Sequence, residues 1–241
     1  MKRRIGKAAG TFLLAGTCSL AMAADKLDYD VQEHWQPEVG EMQSPIAIDS
    51  KSAINGRDAD ADVRLQLHYR ETAAQLVNTG HGMRVNFAAG QWVLIRGRRF
   101  ELLQMHFHAP GEHTVDDFRS PVEAHLVHRA SNGRLAVVAV QYRSGTSNGA
   151  VSTLLETYAR AGAGESLTVN VADLLSSSED YYHYLGSLTT PPLSQNVEWY
   201  VLARPLLVSP QQITALQGIH SGNSRKTQPL HGRAVLRVMP R

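Results

Sequence analysis

Leu102-Leu103-Gln104-Met105-His106-Phe107-His108 reads as a strand with two unlike faces. Side chains alternate across a strand, so Gln104, His106 and His108 share one face, while Met105 and Phe107 point the other way, into a core. Further along, Val122-Glu123-Ala124-His125-Leu126-Val127 repeats the pattern, with Glu123, His125 and Val127 in phase. Side by side, two such strands bring His125 to the His106/His108 pair.

Three imidazoles converging from a rigid sheet suit a metal, above all zinc, which they hold at three corners of a tetrahedron with the fourth open to water. Gln104 and Glu123 each stand two residues before a histidine on the same face. Both suit the partner that a ligating imidazole needs for its second ring nitrogen. His106-x-His108 followed by Glu112 also matches the first half of the cupin metal motif. That motif expects a glycine where this chain has Arg119, and no second half follows. A cupin-like metal enzyme with Glu112 as a ligand is therefore the competing reading.

Working outward, the β pattern continues. Val63, Leu65, Leu67 and Tyr69 alternate with polar residues, as do Met83, Val85 and Phe87, both reading as half-buried strands. Leu135 to Val140 is an unbroken apolar run, short enough for a strand buried on both faces. Val197, Trp199 and Val201 add another strand. Helical spacing is scarcer: Val151, Leu154, Leu155 and Tyr158 form one amphipathic stripe, and Ser209-Pro210 reads as a cap and first residue of a second helix. Ser50 to Asp62 reads as a surface loop. The expectation is a mainly β (α+β) single domain: a large, twisted, mostly antiparallel central sheet with a few short peripheral helices.

Composition agrees with a folded protein. Of 241 residues 43% are apolar and 19% charged, which excludes disorder as the main state. Residues 1–23 read as a secretory signal peptide: Lys2, Arg3, Arg4 and Lys7, an apolar stretch from Ala8 to Leu20, then Ala21-Met22-Ala23. Cleavage there leaves 24–241 as the domain and a periplasmic, or wholly secreted, destination. The leader carries four basic residues and no acidic one, so the remainder holds 20 basic against 22 acidic side chains. No basic footprint for nucleic acid is left. The single cysteine, Cys18, lies in the leader, and no later run has the length of a membrane span.

Taken together, the motifs resemble the α-class carbonic anhydrases of the exported bacterial type. The matches run in order: Gln43-Ser44-Pro45, Asn78-Thr79-Gly80-His81, His106-Phe107-His108, Gly111-Glu112-His113-Thr114-Val115, Glu123-Ala124-His125-Leu126-Val127-His128, Leu135-Ala136-Val137, Tyr184-Leu185-Gly186-Ser187-Leu188-Thr189-Thr190-Pro191-Pro192, Val197-x-Trp199 and Asn223-x-Arg225-x-x-Gln228-Pro229-Leu230. The resemblance implies zinc, reversible hydration of carbon dioxide to bicarbonate and a proton, and attack by a zinc-bound hydroxide. It gives His106, His108 and His125 as ligands, with Gln104, Glu123 and the Asn223 carbonyl as their hydrogen-bond partners. Thr189, its proton committed to Glu112, is the orienting hydroxyl, and His81 is the proton shuttle. Val127, Val137, Leu188, Thr190, Val197 and Trp199 are the substrate pocket, His113 and His128 are structural, and the assembly is a monomer or homodimer. Thr79 and Arg84 depart from the family pattern, and its N-terminal Trp-x-Tyr feature is not clear around Tyr29. A catalytically silent binding module of the same fold is the remaining alternative, though such modules lose ligating histidines that this chain keeps.

Overall fold

The two histidine strands lie side by side near the middle of one large mixed sheet. The structure, a computed structural model, describes residues 27–37, 40–56, 64–161, 164–177, 180–219 and 221–239. The expected leader and Cys18 lie outside the described residues. In chain order the strands are β1 (Ala47–Ile48), β2 (Ile54–Asn55), β3 (Gln66–His68), β4 (Glu71–Asn78), β5 (Met83–Phe87), β6 (Trp92–Ile95), β7 (Arg98–His108), β8 (Thr114–Val115), β9 (Phe118–Arg119), β10 (Val122–Ala130) and β11 (Leu135–Ser144). Helix α1 (Gly149–Ala161) then precedes β12 (Ser166–Asn170), β13 (Tyr181–Ser187), β14 (Gln195–Leu202) and β15 (Leu206–Val208), followed by α2 (Pro210–Ile219) and β16 (Leu236–Val238).

The main sheet runs β12-β4-β5-β7-β10-β11-β14-β13-β16-β2, with β6 and β3 continuing from β7 and β15 beside β11. Its pairings are antiparallel except β11 with β14 and β15, and β16 with β2. Alternation gives this sheet two buried faces. Met105, Phe107, Ala124, Leu126, Val138, Val140 and Tyr200 form the larger core, covered by α1 and α2. Val137, Ala139, Val197, Trp199 and Val201 point the other way, into a second cluster with Ile46 and Tyr184. That is why Leu135 to Val140 is apolar throughout: β11 lies between β10 and β14, and both its faces are covered.

Both helices form as their spacing predicts. Val151 and Leu154 are fully buried, with Leu155 and Tyr158 packed at the margin of the larger core. Ser209 Oγ accepts from Gln212 N at 3.2 Å, and Gln212 Oε1 accepts from Ser209 N at 2.9 Å, a reciprocal capping box at the start of α2.

Two sequence expectations need correcting. The alternating run at 63–69 yields only the short β3, which is exposed along its length, Leu67 included. Among the described residues it is an edge strand paired with β6 alone, while Leu65 and Tyr69 on either side of it pack half-buried against the larger core. Ser50 to Asp62 is not all loop either: Ile54–Asn55 pairs in parallel with β16 at the sheet margin, and residues 57–63 are outside the described set.

Candidate metal centre

Antiparallel register sets His106 directly opposite His125, and Glu123 opposite His108. Opposed residues share a face, so the three imidazoles meet on one side of the sheet. Their ring centroids are 4.9, 5.4 and 4.5 Å apart, and their candidate ligand atoms all fall within 4.8 Å of one another.

Each ring spends its other nitrogen on an acceptor. His106 Nδ1 donates to Gln104 Oε1 at 2.9 Å, His108 Nδ1 to the Asn223 carbonyl at 2.8 Å, and His125 Nε2 to Glu123 Oε1 at 2.7 Å. A neutral imidazole has one N–H and one lone pair, so these bonds turn the lone pairs of His106 Nε2, His108 Nε2 and His125 Nδ1 toward one another. His108 Nε2 is buried and has no hydrogen-bond partner among the described residues. Leaving such an acceptor unpaired costs about 1–3 kcal/mol, and a cation held by the three nitrogens relieves it. The donor set fits zinc.

Electrostatics keep two of the rings, His106 and His125, in the ligating, neutral form. Burial first, then His108, His125 and Arg84 nearby, hold the His106 imidazole well below its usual range. Burial and His108 lower His125, against the opposing pull of Glu123. Burial alone would raise the Glu123 carboxyl, but His113 and His125 outweigh it and keep the group ionised. His113 Nδ1 donates to the same Glu123 oxygen at 2.6 Å, and its Nε2 meets Tyr184 Oη at 2.7 Å. Tyr184 in turn donates to Ser44 Oγ at 2.9 Å. This buried chain fixes His125 through Glu123. His113, Glu123 and His125 also cluster closely enough for a metal, but their mutual hydrogen bonds already satisfy them.

Asn223 does more than offer its carbonyl. Its side chain accepts from Ala109 N at 2.9 Å and donates to the Phe107 and His81 carbonyls at 2.9 Å each, stapling the end of β7 to the loop bearing His81. Sequence spacing could not reveal contacts across such separations.

Glu112 is fully buried, and the bond expected to it from Thr189 is not formed. Glu112 Oε1 accepts from Arg225 N at 2.7 Å, while Oε2 has no hydrogen-bond partner among the described residues and lies 3.9 Å from His125 Nδ1. Arg225 is itself anchored through its guanidinium to Gln43 Oε1 at 2.9 Å and the Ser44 carbonyl at 2.6 Å.

A cavity of about 270 Å³ adjoins the imidazoles, lined among others by His81, Thr190, His106 and His108. Val127, Val137, Val197 and Trp199 form a strip leading away from His125, whose ring centroid is 4.9 Å from that of Trp199. Val137, Val197 and Trp199 are almost wholly buried; Val127 and Leu188 keep partial exposure. None of these five lines the cavity. Sequence reasoning did not assign Leu27 and Tyr29, which do line it. Burial, then the Glu112 charge, pushes the Tyr29 hydroxyl above its usual range. Its ring meets that of Trp35 edge to face at 5.1 Å.

Known proteins are similar to this chain over most of its length. Residues 30–239 match the family model described as eukaryotic-type carbonic anhydrase. A carbonic anhydrase of Pectobacterium carotovorum is 34% identical over 93% of this chain and 96% of its own. Among solved structures, the alpha-carbonic anhydrase of Photobacterium profundum superposes with a TM-score of 0.73 at 37% identity, covering 83% of this chain and 90% of that one. The alpha-carbonic anhydrase of Thermovibrio ammonificans, solved with the inhibitor sulfanilamide, gives 0.73 at 35% identity over 83% and 88%. A cupin-like fold is excluded by these matches.

Proposed function

Because the chain belongs to the eukaryotic-type, or alpha, carbonic anhydrase family, we propose that it hydrates carbon dioxide reversibly to bicarbonate and a proton, with zinc held by His106, His108 and His125. The observation that carries this reading is the buried, unpartnered Nε2 of His108, turned toward two further imidazoles whose other nitrogens are all committed to acceptors. Bound there, zinc supplies the Lewis acidity that makes water a nucleophile near neutral pH, for which carbonic anhydrases are the reference case.

The chain's own residues do the rest. Gln104, Asn223 and Glu123 fix which nitrogen of each ring faces inward, so no reorganisation is needed at the moment of reaction. Thr189 acts as an orienting hydroxyl. The free Glu112 Oε2 is the acceptor that can take its proton, after which Thr189 can only accept and so aligns the attacking group. Carbon dioxide has no dipole, and the apolar strip of Val127, Val137, Val197 and Trp199 that leads from His125, with Leu188, is the wall assigned to it, outside the lining of the cavity itself. His81, on the cavity wall, receives the proton released. The leader read from residues 1–23 supports export to the periplasm as the setting.

Zinc titration by calorimetry tests the centre. The wild type takes up one zinc per chain, and His108→Ala loses that uptake while remaining folded. A wild type that ignores zinc overturns the reading; one that binds zinc but leaves carbon dioxide untouched is the silent binding module instead.

A further inference from the structure

Gln32 lies in a short helical turn, Gln32–His34, ahead of the sheet, and its side chain ties together two segments far apart in sequence. Its Nε2 donates to the Tyr29 carbonyl at 2.8 Å and the Ser224 carbonyl at 3.0 Å, and its Oε1 accepts from Lys226 N at 2.8 Å. Ser224 and Lys226 flank Arg225, whose amide holds Glu112, and follow Asn223, whose carbonyl holds His108. One carboxamide thus docks the N-terminal segment on the loop that supports the metal centre.

The docked segment reaches His81. Leu27 and Tyr29 line the cavity with it, and Tyr29 meets the His81 ring edge to face at 6.4 Å. Leu27 N donates to His81 Nε2 at 3.3 Å. A peptide N–H can only donate, so Nε2 carries the ring's lone pair and Nδ1 its hydrogen. A proton relay must take the incoming proton on that lone pair, and a peptide amide is too weak an acid to pass one on. While the Leu27 bond stands, His81 cannot receive a proton. The His81 backbone is pinned separately, by Asn223 Nδ2 at 2.9 Å, so the N-terminal segment rather than the histidine's own loop governs what Nε2 meets.

From this geometry, and resting on the carbon dioxide hydration reading above, we infer that Gln32 is a positioning residue that keeps His81 capped, so that proton transfer waits on release of the Leu27 amide. On release, the amide turns to water and the Nε2 lone pair forms an N–H bond with the proton that hydration produces. The imidazolium then gives that proton to a buffer base.

The test compares the zinc-loaded wild type with Gln32→Ala and Gln32→Glu. The glutamate can still accept from Lys226 N but cannot donate to Tyr29 or Ser224, and it carries the test if the alanine variant misfolds. Amide hydrogen exchange at Leu27, read by NMR, should be faster in both variants. In stopped-flow hydration at low buffer, kcat should rise about fivefold, the worth of one neutral hydrogen bond, with kcat/KM unchanged. Added imidazole buffer should bring wild type and variants to a common kcat. Unchanged Leu27 exchange, or a kcat that stays level or falls in both variants while the wild type hydrates carbon dioxide, overturns the inference alone. A wild type that does not hydrate carbon dioxide overturns the functional reading, and this inference with it.

Discussion

Gln104 makes one hydrogen bond that matters, to His106 Nδ1. The bond does not touch the metal position, yet it selects the tautomer that leaves Nε2 free to ligate. Gln104→Leu therefore keeps the fold and lowers zinc affinity by about 10–100-fold, as outer hydrogen-bond partners typically do; competition with a chromophoric chelator measures it. The pairing was legible in sequence because it needs only a period of two along one strand. Glu123 was legible for the same reason, but its second partner, His113, was not. Nor was the missing bond from Thr189 to Glu112, whose one accepting oxygen is met by the amide of Arg225 from another part of the chain while the other has no partner among the described residues.

Between elements, Gln212 shows how little of a helix pair is local. The residue closes the capping box of α2, and the same carboxamide accepts from Asn148 N at 3.0 Å and donates to Asn148 O at 2.6 Å and Ser152 Oγ at 2.9 Å, at the start of α1. Its four bonds are made while the residue is 5% exposed. Ser209→Ala should cost about 1 kcal/mol, the usual worth of a cap. Gln212→Ala should cost about 2–3 kcal/mol, because it also strands buried polar groups on α1; urea unfolding distinguishes the two. The Ser209-Pro210 start and the apolar stripe of α1 could be read ahead of any structure. The staple could not, since it joins residues that no periodicity connects. The misread strand at Leu67 has the converse cause: alternation records a face that could be buried, and at the sheet edge Leu65 and Tyr69 pack against the core while Leu67 between them stays exposed.

For the molecule as a whole, a sheet buried on both faces leaves ionisable groups in places where their charged forms are costly. His128 is the clearest case. It is fully buried, bonded to Tyr69 Oη at 2.7 Å and the Ala136 carbonyl at 3.3 Å, and burial lowers its pKa from 6.5 to about 4 despite those bonds. Above 6.5 the imidazole is neutral in both folded and unfolded chains and pH does not matter. Below it the unfolded chain takes the proton and the folded one does not, so stability falls by about 1.4 kcal/mol per pH unit until about pH 4 and then levels off. His106 and His125 add slopes of the same sign in the metal-free protein. Unfolding in chelator at pH 7, 5.5 and 4.5 should therefore show a steep loss, and His128→Phe should flatten it. The general architecture, strands with one apolar and one chemical face, was readable from alternation, as was the pairing of β7 with β10 that joins the three histidines; the order of the other strands around them came from tertiary pairing alone.

A hydrating zinc centre made by the three inward-facing imidazoles has a direct kinetic signature. Stopped-flow carbon dioxide hydration by the zinc-loaded protein, run beside His106→Ala, tests it most directly. The wild type should hydrate carbon dioxide rapidly, lose that activity to chelator and regain it with zinc, with the variant indistinguishable from buffer. A zinc-replete wild type that hydrates carbon dioxide no faster than buffer, or a His106→Ala variant as active as the wild type, contradicts it.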